Sequence, residues 1–282
     1  MQIVTDPGQF QEQCFRQRCG GKVTALVPTM GFYHQGHLDL MRWARQQADL
    51  VLVSLFVNPA QFGPNEDFQT YPRDFERDRA LAEEQGVDVL FAPQSSDLYS
   101  ENHATWVNVP ELGRNLCGRS RPHFFQGVCT IVAKLLNLAL PTMAVFGEKD
   151  WQQLAIVTRM VADLDLPVQI VGRPIVREED GLAMSSRNAY LKREERLEAA
   201  GIYAGLKKAR DWVASGEVES ATIISRLQDV YAAEVPSGRI DYVDVVDPLT
   251  LERVDKVISE ALLAVAVHLG QARLIDNILL KR

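Results

Sequence analysis

The stretch VTALVPTMGFYHQGH, residues 23–37, combines a strand, a tight turn and the start of a helix. Residues 23–27 are nearly all apolar, which is typical of a strand covered on both faces of a sheet. Gly31 and Gly36 allow the backbone to pass close to a ligand. A helical pattern follows over residues 38–48, so the stretch predicts the first half of a βαβ unit.

The same alternation of apolar runs and helical patterns continues to about residue 175. It predicts an α/β fold, a doubly wound parallel sheet, in a first domain over residues 1–175. Two helical segments and then short strands follow without another βαβ repeat, which predicts a smaller C-terminal α+β domain over residues 176–282. The runs that predict the remaining strands are residues 50–57, 87–91, 143–146, 168–171, 240–246, 262–267 and 273–278.

The composition excludes several classes of protein. The chain has 282 residues, 46% hydrophobic and 24% charged, which is ordinary for a globular protein. A net charge of −7 argues against a nucleic-acid binder but permits a small phosphorylated ligand. Four scattered cysteines show no metal or disulfide spacing, and neither a signal peptide nor an apolar run of about 18 residues is present. We therefore expect a cytoplasmic protein with free thiols and no membrane segment.

Polar residues that directly follow the predicted strands are the candidates for a site, because ligands of doubly wound sheets bind beyond the carboxyl ends of the strands. His34 and His37 bracket a glycine at a helix start, where histidine donors and free amides suit phosphate oxygens. Asn58 and Gln61 follow the second strand, and an amide there can read a hydroxyl or a carboxylate. Asp78 would lie near magnesium or on a solvated helix face. Ordinary turn or surface roles remain alternatives for each of these residues.

Two further segments carry charge and hydroxyl groups. After the strand at residues 143–146 come Gly147, Lys149 and Asp150, and Gln153 shares a helix face with Asp150. Lysine supplies a mobile point charge for phosphate, whereas Asp150 can equally be a helix N-cap. The loop DGLAMSSRN, residues 180–188, packs hydroxyls and an arginine together, as expected for a polyphosphate-binding loop or for a polar linker.

Together, the segments PTMGFYHQGH, FVNPAQFG with YPR, FGEKDWQQL, DGLAMSSRN and the terminal RLIDNI resemble the pantothenate synthetase (pantoate–β-alanine ligase) family over most of the chain. This family belongs to the nucleotidylyltransferase superfamily, so the resemblance implies a Rossmann-like sheet. The chain departs from the family pattern at Phe32, Tyr33, Ala60 and Phe124, and we expect these changes to alter the rim of the pantoate pocket.

The resemblance also implies the site residues. His34, His37, Lys149, Ser185 and Arg187 would be catalytic. Magnesium would accompany ATP, with Asp78 as a candidate ligand. The implied pantoate site contains Met30, Gln61 and Gln153. The implied ATP site contains Met30, Gly31, His34, His37, Gly147, Lys149, Asp150, Val176, Met184, Ser185, Ser186 and Arg187.

The implied reaction is the ATP-dependent condensation of pantoate with β-alanine to pantothenate (vitamin B5, on the route to coenzyme A). It proceeds through pantoyl adenylate and releases AMP and pyrophosphate. Since an acyl adenylate is hydrolysable, residues 184–188 and the C-terminal domain are expected to form a lid. The resemblance further implies a homodimer. Another nucleotidylyltransferase with a different acceptor, or a nucleotide-binding module without activity, remains open at this point.

Overall fold

The computed structural model describes residues 1–64 and 66–282. Contacts between residues divide the chain into two compact units. Unit 1 consists of Met1–Gly113, Arg121–Glu148 and Ile156–Pro174. Unit 2 consists of Arg114–Ser120, Lys149–Ala155 and Ile175–Arg282.

Helices and strands alternate through the first two thirds of the chain. Up to residue 173 the elements are β1 (Gln2–Val4), α1 (Pro7–Cys19), β2 (Thr24–Thr29), α2 (Gln35–Gln47), β3 (Leu50–Leu55), α3 (Phe75–Glu84), β4 (Val89–Phe91), α4 (Ser95–Leu98), α5 (Pro110–Gly113), α6 (Cys117–Ser120), α7 (Phe124–Ala139), β5 (Met143–Gly147), α8 (Trp151–Asp163) and β6 (Gln169–Arg173). After residue 173 come α9 (Arg193–Ala214), α10 (Ser220–Glu234), β7 (Arg239–Val246), β8 (Glu260–Leu269) and β9 (Ala272–Lys281). Short 3-10 turns occupy Pro59–Gln61, Glu148–Asp150 and Ser186–Tyr190.

The sheet of unit 1 is fully parallel, with the strand order β1-β4-β3-β2-β5-β6. This confirms the predicted doubly wound architecture. β2 pairs with β3 on one side and with β5 on the other, where Leu26 is opposite Leu52 and Ala144. The chain changes direction across the sheet between β2 and β5, and ligands of such sheets bind outside the strand ends at that switch point. We therefore expect a ligand site beside the residues that follow β2, β3 and β5.

Unit 1 is built around strands that are buried on both faces, as their continuous apolar sequences predict. Ala25, Val27, Val51 and Val53 have no exposed surface, and Met41 of α2 packs in the same cluster. Burying these side chains is the main favourable term that holds the helices against the sheet.

Unit 2 contains an antiparallel sheet in the order β7-β8-β9, against which α9 and α10 bury their apolar faces. The two helices approach closely where Gly205 lies under the Tyr231 ring, because a Cβ on Gly205 would be 2.5 Å from Tyr231 Cε1. The Tyr231 hydroxyl donates to the Ile202 carbonyl at 2.9 Å. The predicted C-terminal α+β elements are confirmed.

All four cysteines are free thiols, as expected from their spacing. Among residues 1–64 and 66–282, no helix is sufficiently long and apolar to span a bilayer.

Candidate functional site

A buried carboxylate holds the turn after β2. Asp78 of α3 is 1% exposed and accepts the backbone N–H groups of Phe32 at 2.6 Å and Tyr33 at 2.7 Å. Gly31 has a φ of 86°, and a Cβ there would lie 2.9 Å from Asp78 Oδ2. Position 31 therefore requires glycine, since both the left-handed backbone and the nearby carboxylate leave no place for a side chain.

These contacts correct one of the two environments expected for Asp78. The residue does not lie on a solvated face, because its side chain is buried. Burial raises the pKa of Asp78, while the two backbone N–H groups and the Arg77 guanidinium act to lower it. Both carboxylate oxygens accept backbone N–H groups and so hold the turn, and the role of Asp78 as a magnesium ligand stays a prediction. In the part of the chain that the structure describes, no group of three or more His, Cys, Asp or Glu side chains could hold a metal ion.

The two histidines lie together at the start of α2. His34 is the N-cap, and its Nδ1 accepts the Gly36 N–H at 3.1 Å. His37 Nδ1 accepts the His34 N–H at 3.4 Å, and the two ring centroids are 4.1 Å apart. A neutral imidazole that accepts at Nδ1 carries its hydrogen on Nε2. Both rings can therefore donate from Nε2 beside a helix N-terminus, which is an arrangement that suits an anion.

Gln61 and Met30, both expected at the pantoate site, are in contact. Gln61 Nε2 lies 3.0 Å from Met30 Sδ, and Gln61 Oε1 accepts from Asn58 Nδ2 at 3.1 Å. Asn58 is itself fixed, because its Nδ2 also donates to the Gly127 carbonyl and its Oδ1 accepts the Tyr99 hydroxyl at 2.8 Å. Burial raises the pKa of Tyr99 to about 12, so this hydroxyl keeps its proton. The network orients Gln61 with its NH₂ group away from Asn58.

The backbone of Gln61 is held from the other side by α7 and the segment before it. A Cβ on Gly127 would lie 2.2 Å from the Ala60 carbonyl oxygen, so only glycine lets α7 approach the 3-10 turn. Arg121 Nη2 donates to the Gln61 carbonyl at 3.1 Å, and Arg121 Nε donates to Glu66 at 2.6 Å. Gly127 is not among the residues predicted from the sequence. The available signal was a glycine within a strongly apolar helical pattern, which indicates close packing.

The departures from the family pattern have separate environments. Tyr33 is 1% exposed and belongs to the core of unit 1, so it fills the core rather than a pocket rim. Phe32 lies under the Arg77 guanidinium, whose carbon is 5.2 Å from the centroid of the Phe32 ring. Phe124 is covered by Arg121, whose guanidinium carbon is 3.7 Å from the ring centroid.

In unit 2, Lys149 and Ser185 line one small cavity together with Asn188 and Asp276. Lys149 lies in the 3-10 turn after β5, with its side chain 19% exposed and its Nζ 3.5 Å from Asp150 Oδ2. The structure therefore brings together two of the side chains that were expected to be catalytic.

A hairpin leads into Ser185. Met184 N–H donates to the Val176 carbonyl at 3.0 Å, and Glu178 N–H donates to the Leu182 carbonyl at 2.8 Å. Ser185 then caps the next 3-10 turn, because its Oγ accepts the Arg187 N–H at 3.3 Å. Ser186 is 7% exposed, whereas Arg187 is only partly buried. Val176 and Met184, both expected at the ATP site, are thus hydrogen-bonded across this hairpin.

Gln152 and Gln153 have different tasks on α8. Gln152 is buried and bridges the backbone, accepting from Cys117 N at 3.0 Å and donating to the Asn115 carbonyl at 2.7 Å. Gln153, the residue expected at the pantoate site, is partly exposed. At the end of β5, a Cβ built on Gly147 meets no atom within 4 Å beyond its chain neighbours, so the backbone there borders open space.

These groups fit two chemical tasks. Imidazole, ammonium, hydroxyl and guanidinium donors suit phosphate oxygens. The amide NH₂ of Gln61 suits a carboxylate or hydroxyl oxygen.

The comparisons with known proteins agree with this chemistry. A family model described as pantoate-beta-alanine ligase matches residues 2–279. The chain is similar to a pantothenate synthetase of Nitratidesulfovibrio vulgaris (strain DP4), with 58% identity over 99% of both chains. It is also similar to a pantothenate synthetase of Maridesulfovibrio salexigens, with 53% identity over 100% of both chains.

Solved structures give the same answer. Pantothenate synthetase from Thermus thermophilus has a TM-score of 0.94 at 44% identity, with 100% of each chain covered. Pantoate-beta-alanine ligase from Francisella tularensis, complexed with beta-gamma ATP and beta-alanine, has a TM-score of 0.80 at 30% identity, with 99% of this chain and 97% of that chain covered.

Proposed function

This chain belongs to the pantoate–β-alanine ligase family, and from that premise we propose that it joins pantoate to β-alanine in an ATP-dependent reaction. The products are pantothenate, AMP and pyrophosphate. The observation that carries the proposal is 58% identity over 99% of both chains with a protein named pantothenate synthetase. The Gln61 amide and the paired histidines support the proposal, because they can donate hydrogen bonds to carboxylate and phosphate oxygens.

The reaction has two steps. In the first, a carboxylate oxygen of pantoate attacks the α-phosphorus of ATP, the bond to the β-phosphate oxygen breaks, and pyrophosphate leaves. In the second, the free amine of β-alanine attacks the acyl carbon of pantoyl adenylate. The amide bond forms, AMP leaves with the carboxylate oxygen, and the amine releases a proton.

The first step depends mainly on positioning and on charge neutralisation, as in other transfers at phosphorus. His34, His37, Lys149, Ser185 and Arg187 are the residues we assign to the phosphate chain. The remaining contacts to ATP are assigned to Met30, Gly31, Gly147, Asp150, Val176, Met184 and Ser186. We expect the segment 184–188 to close over bound ATP and to protect the adenylate from water.

Pantoate is assigned to Met30, Gln61 and Gln153. Its carboxylate and hydroxyl groups are small and polar, so two amide side chains can form hydrogen bonds with them. The fixed orientation of Gln61 supports this role, because its Oε1 is already occupied by Asn58 and its NH₂ group is the part that can donate to pantoate.

Magnesium enters this proposal as part of the nucleotide substrate. Mg²⁺ commonly keeps several waters and binds substrate phosphates, so few protein carboxylates are needed. Asp78 remains the candidate protein ligand that the family resemblance implies. The family resemblance also supports a homodimer that works in the cytoplasm, with no nucleic-acid or membrane partner.

An exchange assay tests the proposed function. The protein is incubated with ATP, labelled pyrophosphate and pantoate, without β-alanine. We expect label to enter ATP only when pantoate is present, because adenylation is reversible and precedes the attack by the amine of β-alanine. Exchange that needs a phosphate-ester acceptor instead would indicate another nucleotidylyltransferase, and no exchange with any hydroxy acid would overturn the proposal.

The variant Lys149→Ala sharpens this assay. Loss of one charged donor to a developing charge should lower the exchange rate by about 10²- to 10³-fold. Lys256→Ala is the matched control, because it removes an exposed ammonium that pairs with Glu219. A near-unchanged rate for Lys149→Ala would remove this residue from the phosphate site.

A further inference from the structure

Two adjacent polar residues interrupt the apolar pattern of β9. Asp276 and Asn277 are 4% and 6% exposed. Successive side chains of a strand point to opposite faces, so the two residues reach different neighbours. Buried polar side chains in a strand need partners, and here each partner belongs to a segment that the proposed function uses.

Asp276 holds the hairpin that leads to Ser185. Arg177 forms a bidentate ion pair with Asp276, with Nη1–Oδ2 at 2.6 Å and Nη2–Oδ1 at 2.9 Å. Arg177 Nη1 also donates to the Gly181 carbonyl at 3.1 Å, which ties the end of the hairpin to its base. The Asn277 N–H donates to Asp276 Oδ1 at 2.8 Å. The Asp276 carboxylate thus links β9 to Arg177, and Arg177 in turn links to the turn of the hairpin at Gly181.

The Tyr203 ring of α9 also contacts the hairpin. The Arg177 guanidinium carbon lies 3.6 Å from the Tyr203 ring centroid. Gly181, with a φ of 95°, sits on the same ring, because a Cβ there would be 2.6 Å from Tyr203 Cδ1. The hairpin therefore contacts α9 through the Tyr203 ring and β9 through Asp276.

Asn277 reaches the second segment. Its Nδ2 donates to the Lys149 carbonyl at 3.0 Å. Lys149, Ser185 and Asp276 line the same cavity. The Lys149 backbone and the base of the Ser185 hairpin are therefore both hydrogen-bonded to adjacent residues of β9.

We propose that Asn277 is a positioning residue for adenylation. Its side-chain amide donates to the Lys149 carbonyl and so holds the Lys149 backbone beside Asp276, whose ion pair with Arg177 holds the Ser185 hairpin. Asn277 touches neither substrate in this account and acts through Lys149. The inference rests on the proposed function, because it assigns Lys149 to the phosphates of ATP.

The substitution Asn277→Ala tests the inference in pantoate-dependent ATP–pyrophosphate exchange. A misplacement of about 1 Å can cost about 10²-fold in rate, so we expect kcat to fall by about 10- to 100-fold. The KM for pantoate should change by less than about 2-fold, since the interaction removed serves the transition state and not pantoate binding.

A double-mutant cycle separates positioning from a general structural effect. In a Lys149→Ala background, Asn277→Ala should change the rate by less than about 2-fold, because residues that act through one another are not additive. Asn115→Ala is the matched control, since it also removes an amide donor to a carbonyl, that of Leu251 at 3.0 Å. Its kcat should stay within about 2-fold of the unchanged protein, with a thermal midpoint similar to that of Asn277→Ala.

Each other result decides against the inference. An unchanged kcat for Asn277→Ala, or an equal loss in both backgrounds, would overturn the positioning role while leaving the proposed function in place. Absence of pantoate-dependent exchange in the unchanged protein would overturn the proposed function and the inference with it.

Discussion

Single buried polar residues set the geometry on which the proposed chemistry depends. Asp78 fixes the turn of Gly31 and Phe32 through two backbone N–H groups, and Asn58 fixes the amide of Gln61. The role of Asp78 cannot be read from the sequence, because its partners lie 45 and 46 residues away. The sequence shows which polar residues follow the predicted strands, but hydrogen-bond partners that are far apart in the sequence are set by the tertiary fold.

At the residue scale, Gln61→Glu tests the assignment of the NH₂ group to pantoate. The change keeps the shape of the side chain but replaces a donor by an anionic oxygen. A hydrogen bond to a charged group contributes about 1.5–3 kcal/mol, so we expect the KM for pantoate to rise by at least about 10-fold. The KM for ATP should stay within about 2-fold.

The matched control is Gln228→Glu, which adds the same charge at an exposed position of α10. It should leave both KM values unchanged. An equal rise in the KM for ATP and for pantoate in Gln61→Glu would contradict a specific role in pantoate binding, because it would indicate a general loss of the site.

At the scale of elements, the strength of the periodic pattern decides what the sequence predicts. α9 has a long apolar face that repeats over many turns, and a helical segment is evident there from the sequence alone. β1 and α1 were missed. β1 has three residues, and α1 buries only Phe10 and Cys14, so its apolar face is too narrow to distinguish from a loop. The start of α1 carried a signal in the N-cap Asp6 followed by proline.

Gly127→Ala tests the close approach of α7 to the turn Pro59–Gln61. A Cβ would lie 2.2 Å from the Ala60 carbonyl oxygen, so the helix or the turn must move. Because the clash is with backbone atoms, overpacking should cost about 2–3 kcal/mol, and the higher helix propensity of alanine returns about 1 kcal/mol, so we expect a net loss of about 1–2 kcal/mol. Chemical denaturation measures this loss, and the KM for pantoate should rise as Gln61 shifts.

Gly113→Ala provides the comparison, since a Cβ there would be 3.7 Å from Phe125 Cβ, an ordinary contact. Its stability should stay within about 0.5 kcal/mol of the unchanged protein. Equal stability of Gly127→Ala and the unchanged protein would show that α7 does not constrain the turn.

At the scale of the whole molecule, the family and the doubly wound fold were predictable from the sequence and are confirmed. Four short motifs in order, together with strand–helix alternation, were sufficient for both. The net charge of −7 did not prevent the assignment of a polyanionic substrate, because a few local cations decide phosphate binding. The hydrogen-bond networks that orient Gln61 and Lys149 needed the three-dimensional structure.

In the proposed adenylation, a carboxylate oxygen of pantoate becomes bonded to the α-phosphorus of ATP. This bond can be followed with pantoate labelled with ¹⁸O in both carboxylate oxygens, incubated with ATP and β-alanine, by mass spectrometry of the AMP product. We expect each AMP formed to carry one ¹⁸O atom in its phosphate, while pantothenate keeps the other in its amide carbonyl. Unlabelled AMP formed together with pantothenate would contradict this expectation.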